Sequence, residues 1–119
     1  MVPPHKFLDA LALLPAVRQI RRQARHAWDG HVPIQLDFAL VGGQIATHIL
    51  AFTDDERSYI RGVLDYALKQ DSHNLRPLVL RPLLTTLFER SRRMGKAHEA
   101  AVFQHLYIPG TTKPPNQAS

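Results

Sequence analysis

Between Ile34 and Phe52 runs IQLDFALVGGQIATHILAF, the least charged stretch of the chain, with Gly42 and Gly43 at its centre. How those two glycines are used decides the fold class. As a helix, the stretch carries both in its interior, each about 0.8–1 kcal/mol less favourable than alanine, and is apolar nearly all round. As a β-hairpin with a two-residue Gly-Gly loop, one register sorts both strands at once. Ile34, Leu36, Phe38 and Leu40 then share a face with Ile45, Thr47, Ile49 and Ala51. Gln35, Asp37, Ala39 and Val41 share the other face with Gln44, Ala46, His48 and Leu50. Tight hairpin loops require positive φ, which glycine adopts without strain. The pattern predicts an α+β fold with a central β-hairpin over 33–52 turning at Gly42-Gly43. The alternative is an all-α bundle with 34–52 helical. In the hairpin register Asp37 and His48 stand opposite each other. They read as a cross-strand charge pair and not as a catalytic dyad, because the hairpin holds no serine or cysteine nucleophile.

The flanking segments read as helices. Val17, Ile20, Ala24 and Trp28 recur at helical spacing and predict a core-facing stripe. Pro15 suits a first helical turn and disfavours helical geometry at Leu14, which splits the N-terminal helix into pieces near 5–14 and 16–28. Thr53-Asp54-Asp55-Glu56 is a capping box, the strongest local signal in the chain. Ile60, Val63, Leu64, Ala67 and Leu68 give the helix it opens a buried stripe, with its end expected near Gln70 and a loop over 71–74. A Leu-Arg-Pro-Leu unit then repeats at Leu75 and Leu80. Arg76 and Arg81 precede prolines and lean towards extended backbone, with Pro82 placed to open the next helix. That helix carries Leu84, Leu87, Phe88 and Met94 at helical spacing. A last helix is expected near 97–107, stopped by Pro109-Gly110. The organisation is a single compact domain over 1–110 with a flexible tail over 111–119.

The segment THILAFTDDERSYI resembles the strand-into-capped-helix entry of ribbon–helix–helix repressors. That resemblance implies a dimer-forming strand ahead of two helices. The preceding hairpin strand and the proline-broken second helix depart from the family's pattern.

Composition narrows the chemistry. The chain of 119 residues has no cysteine, which removes disulfides, thiolate zinc sites and thiol catalysis and suits a cytoplasmic setting. No apolar run is long enough to span a membrane. The start MVPPHKFLDALALLPAV is broken by Asp9 and Pro15 and does not match a secretory leader. No phosphate loop, dinucleotide fingerprint or nucleophile elbow is present, so no catalytic residue and no cofactor is assigned. His98-Glu99 opens like a zinc-protease motif, but Val102 stands where the second histidine belongs. His105 is two turns from His98, and His26, Asp29 and His31 form only a loose cluster, so no metal site is assigned.

The formal net charge is +5, and its distribution carries the functional expectation. Two basic segments flank an acidic one that holds Asp54, Asp55, Glu56, Asp65 and Asp71. Arg18, Arg21, Arg22 and Arg25 fall on one arc of the early helix, and Arg90, Arg92, Arg93 and Lys96 form a second cluster. Cations in such lines suit DNA or RNA phosphate backbones, with affinity drawn from counterion release. Trp28, Tyr59 and Tyr66 could stack on bases where exposed. The leading expectation is thus a small nucleic-acid-binding accessory or regulatory protein. The alternative is a protein-interaction module, an inhibitor or adaptor that docks on an acidic partner or on itself. The apolar LRPLVLRPLL segment and the hairpin's second face motivate it.

Overall fold

The computed structural model describes residues 4–69 and 75–103, and they form helices with no strand among them. Helix α1 spans Pro4–Leu11, α2 Pro15–Ala27, α3 Ile34–Thr47 and α4 Asp54–Lys69. A short α5, Leu75–Leu78, runs through a π-helical turn, Val79–Leu83, into α6, Leu84–Arg93. Helix α7, Ala97–Ala100, and a 3₁₀ turn, Ala101–Phe103, complete the described part. The expected ends at Gln70, 71–74, 104–107 and Pro109-Gly110, His105 and the 111–119 tail lie outside the described residues.

The α+β expectation is overturned at its centre. The stretch expected as a β-hairpin over 33–52 is helix α3, and Gly42-Gly43 continues the helix where a turn was expected. An all-round apolar pattern argues against a surface helix, but it is what a helix enclosed on most sides requires. Phe38, Val41, Gly42, Gly43, Ile45 and Ala46 are all buried, beneath α2 on one side and α6 with the π turn on another. Phe7 of α1 stacks on Phe38 with ring centroids 5.7 Å apart and planes 3° off parallel. The glycine penalty, about 2 kcal/mol for the pair, is offset by close packing. The Leu83 carbonyl lies so near Gly42 that a Cβ there would overlap its oxygen and come within 2.9 Å of its carbon. The strand implied by the ribbon–helix–helix resemblance is absent too: Thr47 ends α3, and residues 48–52 turn the chain ahead of α4.

With α3 helical, Asp37 and His48 are eleven positions apart along one helix and its cap, and take different partners. The Gln44 amide nitrogen lies 3.1 Å from His48 Nε2. Asp37 is buried against Arg21.

The Leu-Arg-Pro-Leu repeat is helical as well, contrary to the extended geometry expected at Arg76 and Arg81. Pro82 lies inside the helical run and has no N–H to offer the preceding turn. Widening to a π turn accommodates it: the Leu84 N–H reaches back to the Val79 carbonyl. Tertiary burial of Leu75, Val79, Leu83 and Leu84 holds the segment in this form.

Other boundaries agree with local chemistry. Thr53 N–H donates to Glu56 Oε1 at 2.8 Å, and Glu56 N–H donates to Thr53 Oγ1 at 3.1 Å, completing the capping box. Pro15 opens α2 after an extended Leu14. Helix α2 closes through Asp29 and Gly30, both at positive φ, with Gly30 N–H donating to the Arg25 carbonyl at 2.7 Å. Gly95 closes α6 in the same way, Lys96 N–H reaching the Ser91 carbonyl at 2.7 Å. Trp28, expected in the core, is 49% exposed, because α2 ends at Ala27 before its stripe reaches that position.

Candidate functional site

The basic residues divide into those the fold consumes and those it leaves to solvent. Arg21 belongs to the fold. Its Nη1 lies 2.8 Å from Asp9 Oδ1, and its Nε and Nη2 each lie 3.3 Å from an Asp37 carboxylate oxygen. Burial disfavours the Arg21 charge, but its hydrogen bonds to Asp9 and Asp37 and their Coulombic attraction win, leaving its pKa raised. The guanidinium ties α1, α2 and α3 together.

Arg18 donates from Nε to the Ala12 carbonyl and from Nη2 to the Leu13 carbonyl, both at 3.2 Å, closing the end of α1. Arg90 lies over Gly43, where a Cβ would stand 3.1 Å from its Cζ, and its Nη1 donates to Thr47 Oγ1 at 3.4 Å. Lys96 Nζ lies 3.5 Å from the Thr47 carbonyl. Two cations thus sit at the negative end of the α3 dipole, where carbonyls lack helical partners. Arg93 pairs with Glu89 at 3.8 Å along α6. Arg22, Arg25 and Arg92 are exposed and show no hydrogen bond or ion pair among the described residues.

Members of the two predicted clusters meet opposite ends of α3. Arg21 is anchored at Asp37 in the first turn of α3, and Arg90 and Lys96 meet at Thr47 in its last. Ten residues separate those anchors, roughly 15 Å along a helix axis.

A different feature emerges between α1 and α4. An open groove of about 390 Å³ is lined by Phe7 and Ala10 of α1 and by Tyr59, Gly62, Val63 and Tyr66 of α4. The Tyr59 hydroxyl donates to the Ala10 carbonyl at 2.8 Å and fixes one wall. The other wall, Tyr66, is 57% exposed. A Cβ built on Gly62 meets nothing within 4 Å, so nothing in the described chain requires glycine there. Across Gly62 lies a second, more polar hollow bordered by Ser58, Arg61, Asp65 and Lys69.

Sequence reasoning named Tyr59 and Tyr66 only as bases' stacking partners and passed over the groove. The available signal was Gly62 inside an otherwise strong helix, with tyrosines three residues before and four after it, off the buried stripe. The apolar LRPLVLRPLL segment, expected as a docking patch, instead supplies core through Leu75, Val79, Leu83 and Leu84. Among the described residues, no helix is long and apolar enough to cross a membrane. Set against family models, curated proteins and solved structures, the chain matches none.

Proposed function

We propose that this chain is a small helical protein-interaction module, an adaptor or inhibitor, whose docking surface is the groove between α1 and α4. The observation that carries this reading is an apolar groove walled by exposed tyrosines, with the α4 backbone bared at Gly62. Tyrosine offers a rigid apolar ring and a polar tip, and is favoured where protein surfaces meet. A backbone left uncovered by side chains admits the ridge of an incoming helix. Charge beside the groove is nearly balanced, with Asp54, Asp55, Glu56 and Asp65 of α4 against Arg57, Arg61 and Lys69 and with Lys6 on the rim, which gives a line of phosphates no concentrated cationic track. The cytoplasm suits such a module, given a chain without cysteine.

The test is a photo-crosslinking amino acid placed at Tyr66 and, as control, at exposed Gln23 of α2. Protein adducts at position 66 and none at position 23 are expected. Equal yields at both positions remove the groove from the reading.

A second reading keeps nucleic acid as the partner, and one observation favours it. Arg22 and Arg25 have no partner among the described residues, and the half-exposed Trp28 follows Arg25 by one helical turn, a cationic edge ending in a stacking ring. DNA or RNA phosphates would be met by Arg22, Arg25 and Arg92, since Arg21 is spent inside the fold. Binding that weakens steeply with salt, and that an Arg22→Ala/Arg25→Ala variant loses, supports this reading. Absence of binding at low salt ends it.

A further inference from the structure

The groove's occupant can be named from the arrangement of α4 itself, an argument that rests on the interaction-module reading above. We infer that a second copy of this chain docks there, its α4 laid antiparallel across the first about a two-fold axis at Gly62. Asp55 and Lys69 stand seven residues before and after Gly62, so both fall within about 20° of its bearing on the helix. Both are exposed. A two-fold axis at Gly62 brings Asp55 of each copy level with Lys69 of the other, twice over.

The flanks agree. Tyr59 and Tyr66 lie on the α1 side of that line, Arg61 and Asp65 lie on the other, and Ser58 beside Gly62 borders both hollows. Two-fold rotation keeps each side against its own kind. Tyr66 of one copy therefore enters the groove beside Tyr59 of the other, over Ala10, and Arg61 comes abreast of the second copy's Asp65. Lys69 already lies 3.0 Å from Asp65 of its own helix, and an ammonium with three donors can serve both carboxylates. A parallel pairing would set Asp55 against Asp55 and Lys69 against Lys69, so charge selects the antiparallel one. Glycine at the axis is where two helix backbones approach most closely, which gives Gly62 a reason that the described residues of its own chain do not supply.

Sedimentation equilibrium of the full chain tests the inference. A monomer–dimer equilibrium is expected. Asp55→Lys and Lys69→Glu should each weaken it by roughly tenfold or more, and the double variant should restore it to within about threefold. Gly62→Glu should abolish it while circular dichroism shows an unchanged helical content, since the added side chain meets open space in the monomer. A chain that sediments as a monomer at every concentration overturns the inference. So does a dimer indifferent to Gly62→Glu, or single charge reversals that the double variant fails to rescue. Adducts at position 66 to some other protein, from a chain that stays monomeric, remove self-pairing and leave the module reading intact. No adduct at position 66 removes both.

Discussion

Helices α3 and α4 are close in length, 14 and 16 residues, and each carries glycine in its interior, yet they meet opposite surroundings. Helix α3 is enclosed by α2, α6 and the π turn, and Gly42 exists so that the Leu83 carbonyl can come close. Helix α4 buries one stripe, Ile60, Leu64, Ala67 and Leu68, and presents Gly62 to open space. The same residue type thus solves a packing problem in one helix and leaves an approach uncovered in the other. A glycine that its own fold explains reports on the core. One that its fold does not explain points outward.

That contrast can be broken at several positions. The largest effect is expected at the anchor of α3. Arg21→Met removes the partner of buried Asp37 and should cost about 3–5 kcal/mol in urea unfolding, because an uncompensated charge remains inside. Adding Asp37→Leu should recover most of the loss; if it does not, the ion pair is not what fixes α3. The arginine's raised pKa gives this contribution a definite sign. It is present while the unfolded-state guanidinium is charged, and fades only in strongly alkaline solution as pH climbs through the folded value.

Next comes the buried glycine. Gly42→Ala gains about 0.8–1 kcal/mol of helix propensity, but must push the Leu83 backbone away, and overpacking of this kind costs about 1–3 kcal/mol or more. A net loss by chemical denaturation is expected, and a more stable variant would refute the close approach. Thr53→Ala removes the capping-box hydroxyl of α4 and should lower stability by about 0.5–2 kcal/mol, read from the shift in thermal midpoint. Gly62→Ala is the smallest effect and has the opposite sign. At dilution it should stabilise the chain by about 0.5–1 kcal/mol, as propensity alone dictates. A destabilised Gly62→Ala would mean that α4 is as crowded as α3 and would erase the distinction between the two helices.

The legibility of the chain follows the same division. The capping box at Thr53–Glu56, the stripe of α4 and the break at Pro15 could be read because each is settled within a turn or two of backbone. Helix α3 was misread because its evidence is tertiary. Period-2 sorting and period-3.6 sorting both succeed when nearly every position is apolar, and glycine then tips the reading towards a turn. Arg18, Arg21, Arg90 and Lys96 looked like one resource in the sequence. The fold spends them on the Ala12 and Leu13 carbonyls, on Asp9 and Asp37, and on the end of α3 at Thr47.

What the sequence alone determined is local: the break between the first two helices at Pro15, the capped start of α4, which stripe of α4 turns inward, and that the charge alternates in basic, acidic and basic blocks. Those follow from interactions between residues within a few positions of one another, whose geometry the backbone already dictates. Tertiary structure decided that Gly42-Gly43 continues a helix, that Arg21 is structural, and that Tyr59, Gly62 and Tyr66 border a groove. Each depends on a neighbour distant along the chain, Leu83 for Gly42, Asp37 for Arg21 and α1 for the tyrosines. Such contacts form only once the helices have packed.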